Sequence, residues 1–375
     1  MYVTNARRSR PSMLRSVLVL AALAAGVSAC SSSGHKAADT TLAATTTTAR
    51  ATTTTAAPTT VAETTTTVAE TTTTVAETTT TLPPVPTYAL TGVENPDPAV
   101  AARPALVVKI DNAPGARPQS GFNEADIVFE EIVNDNLTRF AMVFQSGNAN
   151  PVGPIRSGRI QDINLFSALD HPLFAWSGGN VTVTNAINAS ELVNIGPNVA
   201  PVYFRTKDKK VPHNLYSSTD ALYSLTPAGA PPAKPLFQYR HEGDAAGGTP
   251  SPGLAVQLDS IDVRWDWDPA QGLYMRQMEG RPHGDALSGQ VSTNNVVVLV
   301  MDYLPGISES PDAQTIGTNE AFVLTGGNAI HGTWTRNDEH EPFTLTADDG
   351  TPILLQPGRT FVELPRAGHT LVIPG

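Results

Sequence analysis

Asp111, Asn112, Arg117, Gln119, Glu130, Thr138, Arg139, Arg156, Ser157 and Arg159 sit inside or just beyond short apolar runs of the chain. Side chains at strand ends, and in the loops that follow, can meet while the scaffold stays rigid. The planar fork of arginine takes carboxylate or phosphate through two parallel hydrogen bonds, so Arg139, Arg156 and Arg159 are expected to form an anion pocket. Asp111 or Glu130, held ionised beside those cations, would be placed for proton transfer, the chemistry of a hydrolase or transferase. A competing reading needs no ligand: Asp111 and Glu130 pair with the arginines and lock loops. Ser157, His213 and Asp162 are the ingredients of a nucleophile triad. The Gly-x-Ser-x-Gly turn that normally supports such a serine is absent.

Other chemistries find little footing. His171, His213, His241 and His340 lack a second histidine at metal-ligand spacing, and no phosphate-cradling or dinucleotide glycine motif occurs. No metal and no cofactor are therefore expected. Trp265, Trp267, Tyr274 and Trp334 could line a groove, but aromatic residues on strands normally bury their area, and core packing explains them more cheaply.

The elements that must position these residues read as mixed α and β. Residues 105–110, 127–133 and 139–144 are apolar runs expected to be strands, with a turn at Asn134-Asp135-Asn136. Ile163, Leu165, Phe166 and Leu169 have helical spacing over 161–169, and 180–195 reads as a helix or a strand and loop mixture. Beyond a Pro/Ala/Gly-rich seam, strands are expected at 256–267, 272–278, 295–303, 321–324, 330–336, 343–346, 353–355 and 360–364. Turn signals at Gly326-Gly327-Asn328 and Asp349-Gly350 favour an antiparallel meander. The expected fold class is α+β: a mixed α/β domain over 88–235, then a mainly antiparallel β-meander domain over 254–375.

Arg7, Arg8, Arg10 and Arg15 precede an apolar stretch of 16–29, too short to span a bilayer, which is the layout of a secretory signal. The Arg7-Arg8 pair leaves general and twin-arginine export both open. Val27-Ser28-Ala29-Cys30 resembles the bacterial lipobox, in which the cysteine carries diacylglycerol and becomes the new N-terminus. Acyl chains contribute about 0.8 kcal/mol per buried CH₂, enough in combination to hold a protein on a bilayer. Cys30 is the single cysteine, so the mature body can form no disulfide. Residues 30–87 repeat Thr-Thr-Thr-Thr-Val-Ala-Glu and read as a disordered tether, since adjacent Val and Ala cannot build a coiled-coil seam. Such a tether would reach roughly 190 Å if extended at ~3.3 Å per residue. The net charge is −11 with the signal's arginines counted, and an acidic body excludes nucleic acid as a ready partner.

Lys109-Ile110-Asp111-Asn112, Ala116-Arg117-Pro118-Gln119-Ser120-Gly121 and Glu124-Ala125-Asp126-Ile127-Val128-Phe129-Glu130 are followed by Thr138-Arg139-Phe140, Val152-Gly153-Pro154-Ile155-Arg156-Ser157-Gly158-Arg159 and Pro212-His213-Asn214. Trp267-Asp268, Pro282-His283-Gly284-Asp285, His331-Gly332-Thr333-Trp334 and the run from Gln356 to Leu364 continue the series. In this order the motifs resemble the YerB-like lipoproteins over essentially the whole body. The resemblance implies a two-part domain borne on a bacterial lipoprotein and carries no catalytic residues across. The chain departs from the family in having Gly158 where alanine is usual.

The leading expectation is an exported protein, lipid-anchored on the outer face of the cytoplasmic membrane, whose first part binds an anionic envelope polymer or a protein partner. The candidate ligand-binding set is Asp111, Asn112, Arg117, Glu130, Arg139, Arg156, Ser157, Arg159 and His213. A cell-envelope hydrolase or transferase is the alternative, and an interaction protein positioned by its tether is a third.

Overall fold

A computed structural model describes residues 85–134, 137–307, 310–368 and 370–372. The signal segment, Cys30 and the Thr-rich tether lie outside these residues. Few helices and many strands make the fold α+β, mixed in the first part and mainly antiparallel in the second.

In the first part the helices are α1 (Pro98–Ala101), α2 (Gln161–Phe166), α3 (Val181–Ala189) and α4 (Thr219–Tyr223). The strands β1 (Leu106–Asp111), β2 (Ile127–Asn134), β3 (Leu137–Phe144), β4 (Leu173–Ala175) and β5 (Val193–Asn194) accompany them. The second part supplies β6 (Gly253–Leu258), β7 (Ile261–Asp268), β8 (Leu273–Met278), β9 (Asn295–Leu299), β10 (Gly317–Thr325), β11 (Asn328–Arg336), β12 (Thr344–Ala347), β13 (Thr360–Leu364) and β14 (Thr370–Val372).

One large sheet runs β12-β11-β10-β9-β13-β2-β3-β1-β4-β5, so both sequence parts contribute to it. The seam is β13, which lies parallel to β9 on one side and to β2 on the other. A second sheet places β6, β7 and β8 antiparallel to one another, with β14 beside β6.

The central sheet is covered on both faces, which is why β1 is buried along its whole length and its sequence hardly alternates. Val107, Phe129, Ala141, Val143, Val297 and Val362 face one core with Leu165 and Phe166 of α2 and Val183 and Ile187 of α3. Val108, Ile110, Val128, Phe140, Met142, Val298 and Phe361 face the other, against Leu254, Val256, Val263, Trp265 and Tyr274 of the second sheet.

Several boundaries differ from those read in the sequence. The stretch 256–267 is not one strand but the hairpin β6–β7, turning at Asp259, whose φ of 51° is a left-handed value that aspartate tolerates. Residues 353–355 form no strand of their own, and Leu355 makes only an isolated bridge to Tyr239. The 161–169 helix tightens to a 3₁₀ turn at Ser167–Leu169, and 180–195 divides into α3 and β5. Trp265, Tyr274 and Trp334 are core residues, as packing predicted.

Candidate functional site

The period-two alternation of a strand sorts the expected site residues onto opposite faces of the central sheet. Lys109 and Asp111 follow Val107 on the α2 side, Glu131 follows Phe129, and Arg139 pairs with Asp111 across β1–β3. Glu130 and Thr138 point the other way, toward the second sheet. Asp111 and Glu130, each read as an acid or base beside the arginines, therefore share no cleft.

On the α2 side the arginines converge. Asp111 Oδ2 lies 2.7 Å from His213 Nδ1 and 3.2 Å from Arg156 Nε. Arg139 donates from Nη1 to the Ser157 carbonyl at 3.2 Å. Arg159 donates to the Gly158 carbonyl at 3.0 Å and to Asn134 Oδ1 at 2.8 Å, while its buried Nε has no hydrogen-bond partner. Burial first, then repulsion from Arg159, pushes the Arg139 pKa down to about 9. Burial also lowers that of Arg159, and Arg156 adds to the effect.

A cavity of about 250 Å³ opens beside Arg159, lined also by Ser157, Gly158, Gly179 and Asn180. The last two lead into α3, whose first turn presents the partial positive charge of a helix N-terminus. Gly153 sets the loop's course: its φ is 150°, and a Cβ there would meet the Tyr216 ring at 2.6 Å. The nucleophile triad is not assembled, because Ser157 Oγ donates to the Ser177 carbonyl at 3.3 Å and His213 pairs with Asp111 rather than Asp162.

Behind the arginines lies a cluster that the sequence reading missed. Lys109 Nζ pairs with Glu131 Oε1 and lies 2.8 Å from Asp162 Oδ1, with all three side chains fully buried. Asp162 Oδ2 accepts the Arg159 backbone N–H at 2.7 Å, so the cluster also fixes that arginine's loop. The signal was a lysine inside Val107-Val108-Lys109-Ile110 and paired glutamates inside an apolar run, charges where burial was expected.

On the opposite face, Glu130 joins Asn112, Thr138 and Arg276. Arg276 is fully buried beneath the Phe361, Phe140 and Trp265 rings, with its guanidinium carbon 4.9 Å from the Phe361 centroid. Its Nε is 3.5 Å from Glu363 Oε1, which also accepts the Trp265 indole N–H at 2.9 Å. Burial, then the Arg276 charge, holds the His283 pKa well below its usual value. Neutral His283 can therefore accept from Arg276 at Nδ1, 2.6 Å away, and donate from Nε2 to Gln119 Oε1 at 3.2 Å. Arg117 braces the rim through Asn112 and an ion pair of 2.6 Å with Glu279. Asn112, Arg117 and Glu130, expected with the arginines, thus join the two sequence parts instead.

Comparison with known proteins gives the family of the chain. The N-terminal domain of the family described as "Protein of unknown function (DUF3048)" matches residues 90–230, and its C-terminal domain matches residues 254–362. The chain belongs to this family. A relative from Bacillus subtilis (strain 168), named "Putative lipoprotein YerB", is 26% identical over 291 residues, covering 73% of this chain and 85% of that protein. The crystal structure of the YerB protein from Bacillus subtilis has the same fold, with a TM-score of 0.65 and 22% identity over 74% of this chain and 96% of that one. The family description names no reaction, so the chemistry must be argued from the side chains above.

Proposed function

We propose that the protein is an exported lipoprotein, anchored through Cys30, whose folded body binds an anionic component of the cell envelope at the Arg139, Arg156 and Arg159 cluster. The observation that carries this reading is the crowding of three guanidinium groups with Asp111 as the carboxylate paired to Arg156 at 3.2 Å. Lys109 behind them is already occupied by Glu131 and Asp162. Like charges so placed cost stability unless an anion joins them. A phosphate or carboxylate fits the fork geometry, the cavity beside Arg159 and the adjacent helix start.

Titration of the purified chain with soluble cell-wall fragments rich in phosphodiester or carboxylate groups tests the reading. Arg156→Ala and Arg159→Ala are each expected to weaken binding about tenfold, ~1.4 kcal/mol. Unchanged affinity in both, or no binding by the parent, overturns it. The Asp111–His213 pair favours one second reading, an envelope hydrolase or transferase with His213 as base. On that reading His213→Ala abolishes turnover of the same fragments while leaving their binding intact.

A further inference from the structure

We propose that Lys109 Nζ and the Asp162 side-chain carboxyl condense into an intramolecular amide, with Glu131 moving the proton. The three groups come from β1, α2 and β2 and have no exposure to water. Each carboxyl has one oxygen toward the amine and the other pinned from behind. Asp162 presents Oδ1 at 2.8 Å from Nζ while Oδ2 accepts the Arg159 N–H, and Glu131 presents Oε1 while Oε2 accepts from Gln161 Nε2 at 2.7 Å. Apolar residues occupy the neighbouring positions on the same face: Val107 on β1, Phe129 on β2, and Leu165 and Phe166 on α2.

Two carboxylates share one ammonium in a dry interior, with the Arg159 charge acting on both. Burial, then the Asp162 charge, raises the Glu131 pKa to about 7, so near neutrality a substantial fraction of this carboxyl carries a proton. Charge separation in such a site is costly, which favours transfer of a proton from the Lys109 ammonium to the Asp162 carboxylate. The free amine then attacks the Asp162 carboxyl carbon. The new C–N bond forms as the C–OH bond breaks, Glu131 takes the proton shed by nitrogen and gives its own to the departing hydroxyl, and one water leaves. Glu131 ends protonated as it began, and no other reactant is consumed.

Fixed neighbours of this kind react as if present at about 10⁵–10⁸ M, which offsets the poor leaving group. The product replaces a buried ion pair with a neutral amide. It also ties β1 to α2 covalently in a body whose chain has one cysteine, at position 30, and thus no disulfide.

Peptide mapping of the purified full chain after protease digestion, read by fragmentation mass spectrometry, decides the matter. The expected result is a branched peptide joining Lys109 to Asp162, one water lighter than its two arms. Lys109→Arg and Glu131→Gln are each expected to return both arms as linear peptides, with circular dichroism reporting the fold. Linear peptides from the folded parent overturn the proposal, as does a branch to Glu131. A cross-link that persists in Glu131→Gln removes Glu131 from the step.

Discussion

Glu363 is sealed from water, and burial together with the neighbouring Glu130 carboxylate raises its pKa from 4.5 to about 8. Between those values the folded protein keeps a proton that the unfolded chain releases, so the stability from this group is complete below pH 4.5 and lost as pH rises through 8. The melting temperature is expected to fall as pH goes from about 5.5 to about 8.5, with a slope of up to ~1.4 kcal/mol per unit from this group. Glu363→Gln should flatten the profile, and an equally steep profile in that variant would contradict the assignment. Arg276→Met leaves Glu130 and Glu363 buried without their cation, and urea unfolding should report a loss of about 3–5 kcal/mol. A loss below ~1 kcal/mol would mean that the carboxyls find other partners. Glu130, Asn112 and Thr138 were legible in the sequence as polar site residues. Their partners were not, because Glu130 and Arg276 meet through strands that local pattern does not pair.

At the scale of elements, the apolar runs around β1, β2 and β3 identified the strands but not which face each polar residue would take. Continuous burial hides the alternation, and Lys109, Glu130 and Glu131 become intelligible only once the register is known. The hairpin at Asp259 was hidden for a related reason: Asp259-Ser260 is a weaker turn signal than an Asn-Gly or Asp-Gly pair. Gly158 marks a close approach between the arginine loop and its supports in α3 and the Trp176 ring. A Cβ there would lie 2.9 Å from Ile187 Cδ1 and 3.0 Å from the Trp176 ring. Gly158→Ala is therefore expected to cost about 1–3 kcal/mol by overpacking, visible as a lower urea midpoint. Fragment binding should weaken in the same variant as Arg159 is displaced, and a variant as stable as the parent would show that α3 yields freely.

For the whole molecule, composition and spacing gave two parts in series, and the central sheet sets the strands of one part beside those of the other, joined where β13 pairs with β2. Ending the chain before Thr360 should remove a partner from β2 and β9 together and abolish cooperative thermal unfolding, measured by near-ultraviolet circular dichroism. A sharp transition in the shortened chain would show that each part closes its own core. The placement of β13 also orders events in time. Synthesis delivers β2 well before β13, with β3 to β12 made in between, so the β2 edge stays open over that interval. Unpaired strand edges invite association with other chains. A nascent copy therefore exposes that edge to its siblings until β13 has been made, and a stop between β2 and β13 leaves it bare.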